Sequence, residues 1–104
     1  MEKILDRQGK IVDFDSERIE NAIKKASDVT KEFDAKEAKK LTKSVIKILN
    51  DFVKNKESNL KAPTIEEIQD IVEKVLLSSD YKQTAKSYIL YREQHKNMRD
   101  FVAN

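Results

Sequence analysis

The sequence predicts an α+β fold that is mainly helical, a four-helix bundle capped by a small β-sheet in the form of an N-terminal β-hairpin. Near the start of the chain, two short apolar runs flank Gly9, the only glycine of the sequence. Four longer stretches then carry apolar residues at helical spacing. No proline or glycine interrupts those four stretches, so each is expected to form one continuous helix.

The hairpin is predicted over residues 3–14, where the two apolar runs enclose a polar turn around Gly9. A tight turn needs a residue with positive φ, and glycine adopts that conformation at the lowest cost. Asp15 or Ser16 then offers a side-chain oxygen to the free N–H groups of the next helix. The sheet should therefore lead directly into the first helix.

Start signals define the later helices. Asp34 and Glu37 have the spacing of a capping box, and Thr64 and Glu67 repeat it directly after a proline. Asp80 stands at the predicted start of the fourth helix. The predicted helices cover residues 16–29, 35–54, 65–78 and 81–100. The second is expected to be the longest buried helix, with its apolar stripe formed by Ala38, Leu41, Val45, Ile48, Leu49 and Phe52.

Length and composition exclude several classes of protein. The chain has 104 residues, which is the size of one domain with a modest core. Its 21 Lys and Arg residues face 19 Asp and Glu residues, so nothing resembles a basic nucleic-acid-binding arm. No apolar run approaches the roughly 18 residues of a membrane span. We therefore expect one cytoplasmic domain that binds neither nucleic acid nor membrane.

Few residues are suited to catalysis or metal binding. The chain has no cysteine, which excludes disulfides, thiolate zinc sites and a thiol nucleophile. Its one histidine, His95, has no carboxylate cluster at metal-ligand spacing beside it. Glu66 and Glu67 are adjacent on a helix and diverge by about 100°, which suits a charged first turn rather than acid–base catalysis. We expect neither a catalytic nor a metal site.

A phosphate site, if present, must be built from side chains, because one glycine cannot form a glycine-rich phosphate loop. Arg7 and Lys10 lie near the turn, and Arg18, Lys24 and Lys25 follow on the first helix. Cations from two elements can converge on one anion beside a helix N-terminus. The alternative is that these are solvated charges on a highly charged domain.

Several segments together resemble the ATP-cone domain. The first three are residues 6–9, 12–15 and 18–23, and residues 65–76 and 85–93 are similar to the third and last helices of that family. The resemblance covers nearly the whole chain in the family's order. The family is an allosteric adenine-nucleotide-binding module of ribonucleotide reductase large subunits, and it also occurs in the transcriptional repressor of reductase genes. The repressor's zinc ribbon needs four cysteines, which this chain lacks. The spacing looks most like that of the anaerobic, glycyl-radical reductases.

The resemblance implies that ATP or dATP, with magnesium, is held under the hairpin as an allosteric ligand. The implied partners are the adenine nucleotide, a reductase catalytic domain in cis or in trans, and further copies of the chain. Carried over position by position, the implied nucleotide-binding residues are Leu5, Asp6, Arg7, Arg18, Ile19, Ala22, Gln69, Tyr91 and His95.

Asp6 departs from the family, which usually has a basic residue at that position. A carboxylate close to a triphosphate repels it. Two functions therefore remain open at this stage. One is a nucleotide-sensing regulatory domain that controls the activity or oligomeric state of a reductase. The other is a helical protein–protein interaction module that has lost the nucleotide. Neither function makes the chain an enzyme by itself.

Overall fold

The computed structural model describes residues 3–6, 8–56 and 62–96, except for the side chains of residues 95 and 96. The strands are β1 (Lys3–Leu5) and β2 (Ile11–Asp13), and the helices are α1 (Ser16–Thr30), α2 (Ala35–Lys54), α3 (Ile65–Ser78) and α4 (Lys82–Lys96). Four helices with a small antiparallel sheet at the N-terminus confirm the predicted fold class. The predicted end of the last helix, residues 97–100, lies outside the described residues.

The hairpin turns at Gly9, whose φ of 81° confirms the predicted left-handed conformation. β1 pairs with β2 in antiparallel register, with Ile4 opposite Val12. Ile4 is half-buried and packs against the helical core. β2 ends one residue before the predicted end of the hairpin, and Phe14 packs against the same core. The sheet is therefore attached to the bundle by apolar side chains from both sides of the turn.

Polar side chains cap the first three helices. The Asp15 carboxylate accepts from the Glu17 N–H at 3.0 Å, which settles the cap of α1 in favour of Asp15. Asp34 accepts from the Glu37 N–H at 3.1 Å at the start of α2. α3 begins with a reciprocal capping box formed by Thr64 and Glu67. These bonds satisfy amide groups that a helix leaves unpaired at its first turn.

The capping box of α3 joins Thr64 and Glu67 in both directions. The Glu67 N–H donates to Thr64 Oγ1 at 3.1 Å, and the Thr64 N–H donates to Glu67 Oε1 at 2.9 Å. Lys56 Nζ donates to the same carboxylate oxygen at 2.6 Å. Burial opposes ionisation of Glu67, but the hydrogen bonds from Lys56 and Thr64 outweigh it and hold the pKa of Glu67 below its ordinary value. The start of α3 is therefore fixed by an ionised carboxylate.

The helices follow one another around a common core. α1 packs against α2 and α4, and α3 packs against the same two helices. Thr30 at the end of α1 contacts Thr84 at the start of α4, so these two helices are antiparallel. Arg92 near the end of α4 contacts Asp70 near the start of α3. The start of α1, the start of α3 and the end of α4 therefore lie together with the hairpin, at what we call the hairpin end.

Two apolar residues of α2 lie outside the core, contrary to the sequence-based expectation. Ile48 is 45% exposed and Phe52 is 37% exposed, whereas Val45 and Leu49 are fully buried. Ile48 stands at the edge of the buried face of α2, whereas Phe52 is in line with that face but lies in the last turn of the helix. The Lys56 ammonium lies 5.5 Å from the centroid of the Phe52 ring, a cation–π distance.

The opposite end of the bundle holds a buried polar contact that the local sequence did not indicate. The Thr84 N–H in the first turn of α4 donates to Glu32 Oε1 at 2.6 Å, so a carboxylate from the α1–α2 connection serves this helix start. Ahead of α4, the Tyr81 hydroxyl donates to Glu37 Oε2 at 3.0 Å. This hydrogen bond with the Glu37 carboxylate raises the pKa of Tyr81.

Candidate functional site

Backbone hydrogen bonding joins the hairpin to the start of α3. The Leu5 N–H donates to the Pro63 carbonyl at 2.8 Å, and Leu5 forms an isolated parallel bridge with Thr64. Leu5 is half-buried. β1 therefore lies directly against the segment from which α3 begins. This contact brings the first of the predicted site residues to the same end of the molecule as Gln69 of α3.

The Asp6 carboxylate organises the turn of the hairpin. Its Oδ1 accepts from the N–H groups of Gln8, at 2.9 Å, and Lys10, at 2.8 Å. The Asp6 N–H donates to the Lys10 carbonyl, and the Gly9 N–H donates to the Asp6 carbonyl. Aspartate stabilises turns in this way by accepting hydrogen bonds from nearby backbone N–H groups. Asp6 thus has a structural role beside any effect on an anion.

Gln69 carries an unpaired buried atom. Its Oε1 is inaccessible to solvent and finds no hydrogen-bond donor among the described residues. It is the one such side-chain atom in the part of the chain that the structure describes. Buried polar groups are nearly always paired, and an unpaired one costs free energy unless another molecule supplies the partner. The amide of Gln69 is therefore a candidate ligand contact.

Three predicted residues lie in the first two turns of α1 and differ in exposure. Arg18 is exposed, and its guanidinium has no ion-pair partner among the described residues. Ile19 is 6% exposed and belongs to the hydrophobic core, while Ala22 is half-buried and packs against that core. Arg18 therefore remains available to an external anion. Ile19 contributes chiefly to packing inside the bundle.

The remaining predicted residues are only partly described. Tyr91 lies in α4 near the hairpin end and is 36% exposed. His95 belongs to the last turn of α4, but its side chain is outside the described residues, as is Arg7 as a whole. The described residues thus place Leu5, Asp6 and the α1, α3 and α4 positions at one end of the bundle.

Arg92 forms an ion-pair cluster that sequence reasoning missed. Its guanidinium contacts Asp70 at 2.6 Å, Glu73 at 3.2 Å and Glu66 at 3.5 Å, all on α3. Partial burial disfavours the charge, but the hydrogen bond and charge of Asp70 outweigh it and raise the pKa of Arg92. The three acids stand at i, i+4 and i+7, a spacing that places them on one helical face. This spacing of three acids is visible in the sequence and could have predicted a cationic side chain on a neighbouring helix.

This cluster lies next to two predicted ligand residues. Asp70 directly follows Gln69 on α3, and Arg92 directly follows Tyr91 on α4. The ion pair between them therefore fixes the distance between the two helices at the level of the candidate site. Burial raises the pKa of Tyr88, one turn before Arg92, so this tyrosine stays protonated within the same interface.

Comparison with known proteins identifies the family. The ATP cone domain matches residues 2–97 of this chain. The chain belongs to the ATP-cone family. The recognition made from the hairpin and the two later helices is thus confirmed.

Similar proteins are large reductases. The chain is 37% identical over 105 residues to a vitamin B12-dependent ribonucleoside-diphosphate reductase of Thermoplasma acidophilum, covering 96% of this chain and 13% of that protein. It is 33% identical over 104 residues to a ribonucleoside-diphosphate reductase subunit alpha of Chlamydia muridarum, covering 93% and 10%. A Chlamydia pneumoniae subunit alpha is 35% identical over 98 residues, covering 89% and 9%. The resemblance to anaerobic reductases stays a prediction.

The chain spans only a small part of the length of these relatives: 13% of the Thermoplasma acidophilum protein and 10% and 9% of the two Chlamydia subunits. This ATP-cone chain therefore corresponds to a domain of such enzymes and not to their full extent. Within the described residues, no helix is long and apolar enough to cross a membrane. The same residues contain no group of three or more His, Cys, Asp or Glu side chains placed to hold a metal ion.

Proposed function

We propose that this ATP-cone chain is a regulatory domain that binds ATP or dATP at the hairpin end and thereby controls a ribonucleotide reductase catalytic domain, in cis or in trans. Membership of the family and the similarity to reductases support the proposal. The observation that carries it in this chain is the buried, unpaired Oε1 of Gln69 at that end of the bundle.

An adenine ring offers the chemistry that the Gln69 amide lacks. The exocyclic amino group of adenine is a donor, and the adjacent ring nitrogen is an acceptor. A primary amide pairs with such an edge through its own oxygen and nitrogen. When the half-buried Gln69 side chain turns toward an adenine bound beside α3, the ring would supply the hydrogen bond that no described residue supplies to Oε1.

The charges of the hairpin end suit the phosphate groups. Arg18 is exposed and has no ion-pair partner among the described residues, so its guanidinium can receive phosphate oxygens without breaking a described ion pair. Leu5 and Ala22 are half-buried and provide apolar surface nearby. Magnesium, when bound, would neutralise phosphate charge and be held mainly by phosphate oxygens, as is usual for nucleotide-bound Mg²⁺.

Calorimetric titration with Mg-ATP and Mg-dATP tests the proposal, with Mg-GTP as the matched control. A ligand that binds only the folded state adds about 2.7 kcal/mol at a hundred times its dissociation constant. For a domain of this size, each kcal/mol raises the melting temperature by roughly 4 to 8 °C. We expect both adenine nucleotides to bind and to raise the melting temperature, and GTP to have a much smaller effect.

The absence of heat and of a melting shift at millimolar ATP would overturn nucleotide binding. That result would favour the alternative function, a helical interaction module that has lost the nucleotide. Equal effects of ATP and GTP would instead leave a phosphate site but remove Gln69 from base recognition. Regulation itself is tested by adding the chain and each nucleotide to a reductase assay.

A further inference from the structure

α2 carries a basic surface that the proposed nucleotide site does not use. Its members are all exposed lysines, and we call them the lysine stripe: Lys36, Lys39, Lys40, Lys43, Lys47 and Lys54. At 3.6 residues per turn, these positions fall on one side of the helix, opposite the buried Val45 and Leu49. With a rise of 1.5 Å per residue, the stripe is about 27 Å long.

None of these lysines takes part in an ion pair within the described residues. Elsewhere the chain does pair its lysines, as Lys24 with Asp28 and Lys56 with Glu67 show. Like charges at i and i+4 destabilise a helix, and Lys36, Lys40 and the positions that follow repeat that spacing. The lysine stripe is thus a concentration of uncompensated charge.

Two of the acidic residues nearest to the lysine stripe in sequence are engaged elsewhere, while Asp51 stands on α2 between Lys47 and Lys54. The Asp34 carboxylate accepts a hydrogen bond from the Glu37 N–H in the first turn of α2. The Glu37 carboxylate accepts a hydrogen bond from the hydroxyl of Tyr81. An open depression of about 420 Å³ lies along the first half of the stripe. Its lining consists of Asp34, Lys36, Glu37, Lys39, Lys40 and Lys43, so four of its six residues are stripe lysines. A carboxylate entering from outside would meet ammonium groups there.

The spacing of the lysine stripe fits an acidic helix better than a nucleic acid or a membrane. Lys36, Lys40, Lys43 and Lys47 stand at i, i+4, i+7 and i+11. A second helix with carboxylates at the same spacing would present them all on one face. The stripe contains no arginine or aromatic residue for contacts to bases. A helix that binds lipid also needs apolar residues opposite its basic face, free to enter the membrane, and here that face is packed into the core.

We propose that the lysine stripe is a docking surface for a protein helix that carries carboxylates at i, i+4, i+7 and i+11. Its attraction is electrostatic and acts on the outer face of α2, most of which lies away from the hairpin end. Only Lys54, two residues before Lys56, reaches that end. Uncompensated lysines then acquire carboxylate partners in the complex, which removes the repulsion along α2.

A synthetic helical peptide with glutamates at i, i+4, i+7 and i+11 serves as the probe, measured by fluorescence anisotropy at low and high salt. The matched control peptide has the same composition with its glutamates distributed around the helix. We expect the patterned peptide to bind the wild-type chain at least several-fold more tightly than the control peptide. Its binding should weaken strongly as salt screens the charges.

Two triple variants with the same change of net charge complete the test. K40E/K43E/K47E alters the stripe, and K25E/K74E/K86E alters exposed lysines on the other three helices. The stripe variant should weaken binding by at least about tenfold, since three attractions become repulsions, while the other triple should bind nearly as the wild type does. Circular dichroism should show both variants folded, because every altered side chain is exposed.

Several outcomes would overturn this proposal. Equal losses in the two triple variants would mean that only net charge matters. Equal binding of the two peptides would mean that the helical spacing of the glutamates does not contribute to binding. No binding of the patterned peptide at low salt would also reject it. Tighter binding of a short DNA duplex, or of vesicles rich in phosphatidylserine, lost only in the stripe variant, would assign the face to a nucleic acid or a membrane instead.

Discussion

The hydroxyl oxygens of Thr30 and Thr84 lie 2.7 Å apart and join the last turn of α1 to the first turn of α4. Thr84 is fully buried, and its N–H also donates to Glu32 Oε1. One residue, Thr84, therefore connects α1, the α1–α2 connection and α4 through its hydroxyl and its backbone N–H. Because a polar group at this depth must be paired, the contact fixes how the two helices meet.

The first prediction concerns this contact. Thr84→Val keeps the volume of the side chain but leaves the Thr30 hydroxyl without its partner on α4. We expect the free energy of unfolding, measured with urea, to fall by about 1 to 2 kcal/mol. Thr30→Val is the control, and the double variant should be less destabilised than the sum of the two. Strict additivity would show that the hydroxyl pair contributes no coupling.

The second prediction concerns acid stability and Glu67. Its pKa is lower in the folded chain than its ordinary value of 4.5, so its contribution is fully present above about pH 4.5. The contribution is lost as the pH falls through the lowered folded value. Melting temperatures between pH 7 and pH 3 should therefore drop more steeply in the wild type than in Glu67→Gln, which still accepts the cap hydrogen bond.

At neutral pH, Glu67→Gln should cost on the order of 1 kcal/mol, because the partly exposed pair with Lys56 loses its charge assistance. Lys56→Gln removes the same pair from the other side and should flatten the acid profile similarly. Identical pH profiles in the wild type and in both variants would refute this role.

The third prediction concerns Arg92. Arg92→Met removes the guanidinium from the three carboxylates of α3 while keeping much of the side-chain length. Hydrogen bonds to charged groups contribute about 1.5 to 3 kcal/mol, so we expect a loss within that range in urea unfolding. Arg92→Lys should recover only part of it, because an ammonium lacks the planar fork of donors. Full recovery by lysine would indicate that charge alone is needed.

The fourth prediction separates the two effects of Asp6. Asp6→Asn keeps an oxygen for the N–H groups of Gln8 and Lys10 but removes the negative charge. At an effective dielectric near 20, like charges about 4 Å apart repel by roughly 4 kcal/mol before screening. Solvent at the turn reduces this strongly, so we expect ATP to bind about tenfold more tightly to Asp6→Asn.

Asp6→Lys is the companion variant. It adds an attractive charge but loses both turn hydrogen bonds, so its melting temperature without ligand should fall while that of Asp6→Asn should hold. Weaker ATP binding by Asp6→Asn would contradict the repulsion argument and make the carboxylate a direct contact.

The fifth prediction gives Gln69→Leu opposite effects on stability and binding. Leucine removes a buried oxygen that has no donor among the described residues, so the free chain should become more stable by on the order of 1 kcal/mol. ATP affinity should fall by about tenfold or more, since the adenine edge loses its partner. Isothermal titration and thermal melting measure the two effects separately. A variant that is destabilised without ligand and binds ATP normally would remove Gln69 from the site.

Local signals were sufficient to predict most of the fold. Gly9 has positive φ because the turn requires it, and Thr64 with Glu67 forms the capping box that their spacing predicted. Such features depend on residues close together in sequence. Lys31, in contrast, ends α1 with φ of 60°, a conformation for which glycine is the usual signal. Its residue type gave no indication of that role.

Contacts between distant segments could not be predicted in the same way. The apolar spacing of α2 included Ile48 and Phe52, but their exposure depends on how far the neighbouring helices cover α2, both around it and along its length. The ion pair of Arg92 with Asp70 depends on how α4 packs against α3, which the sequence alone does not show. For the candidate site, the sequence supplied the residues through family resemblance. The unpaired oxygen of Gln69 became visible only after packing was known.

The backbone hydrogen bond from Leu5 to Pro63 also constrains the order in which the molecule folds. A hairpin with three residues in each strand is only marginally stable alone, and its bond to Pro63 closes a long loop of chain. We expect the hairpin to be stabilised late, after the start of α3 has docked, and its amides to exchange with solvent faster than those of the buried helices. A nucleotide held at the hairpin end would then protect the least protected part of the domain.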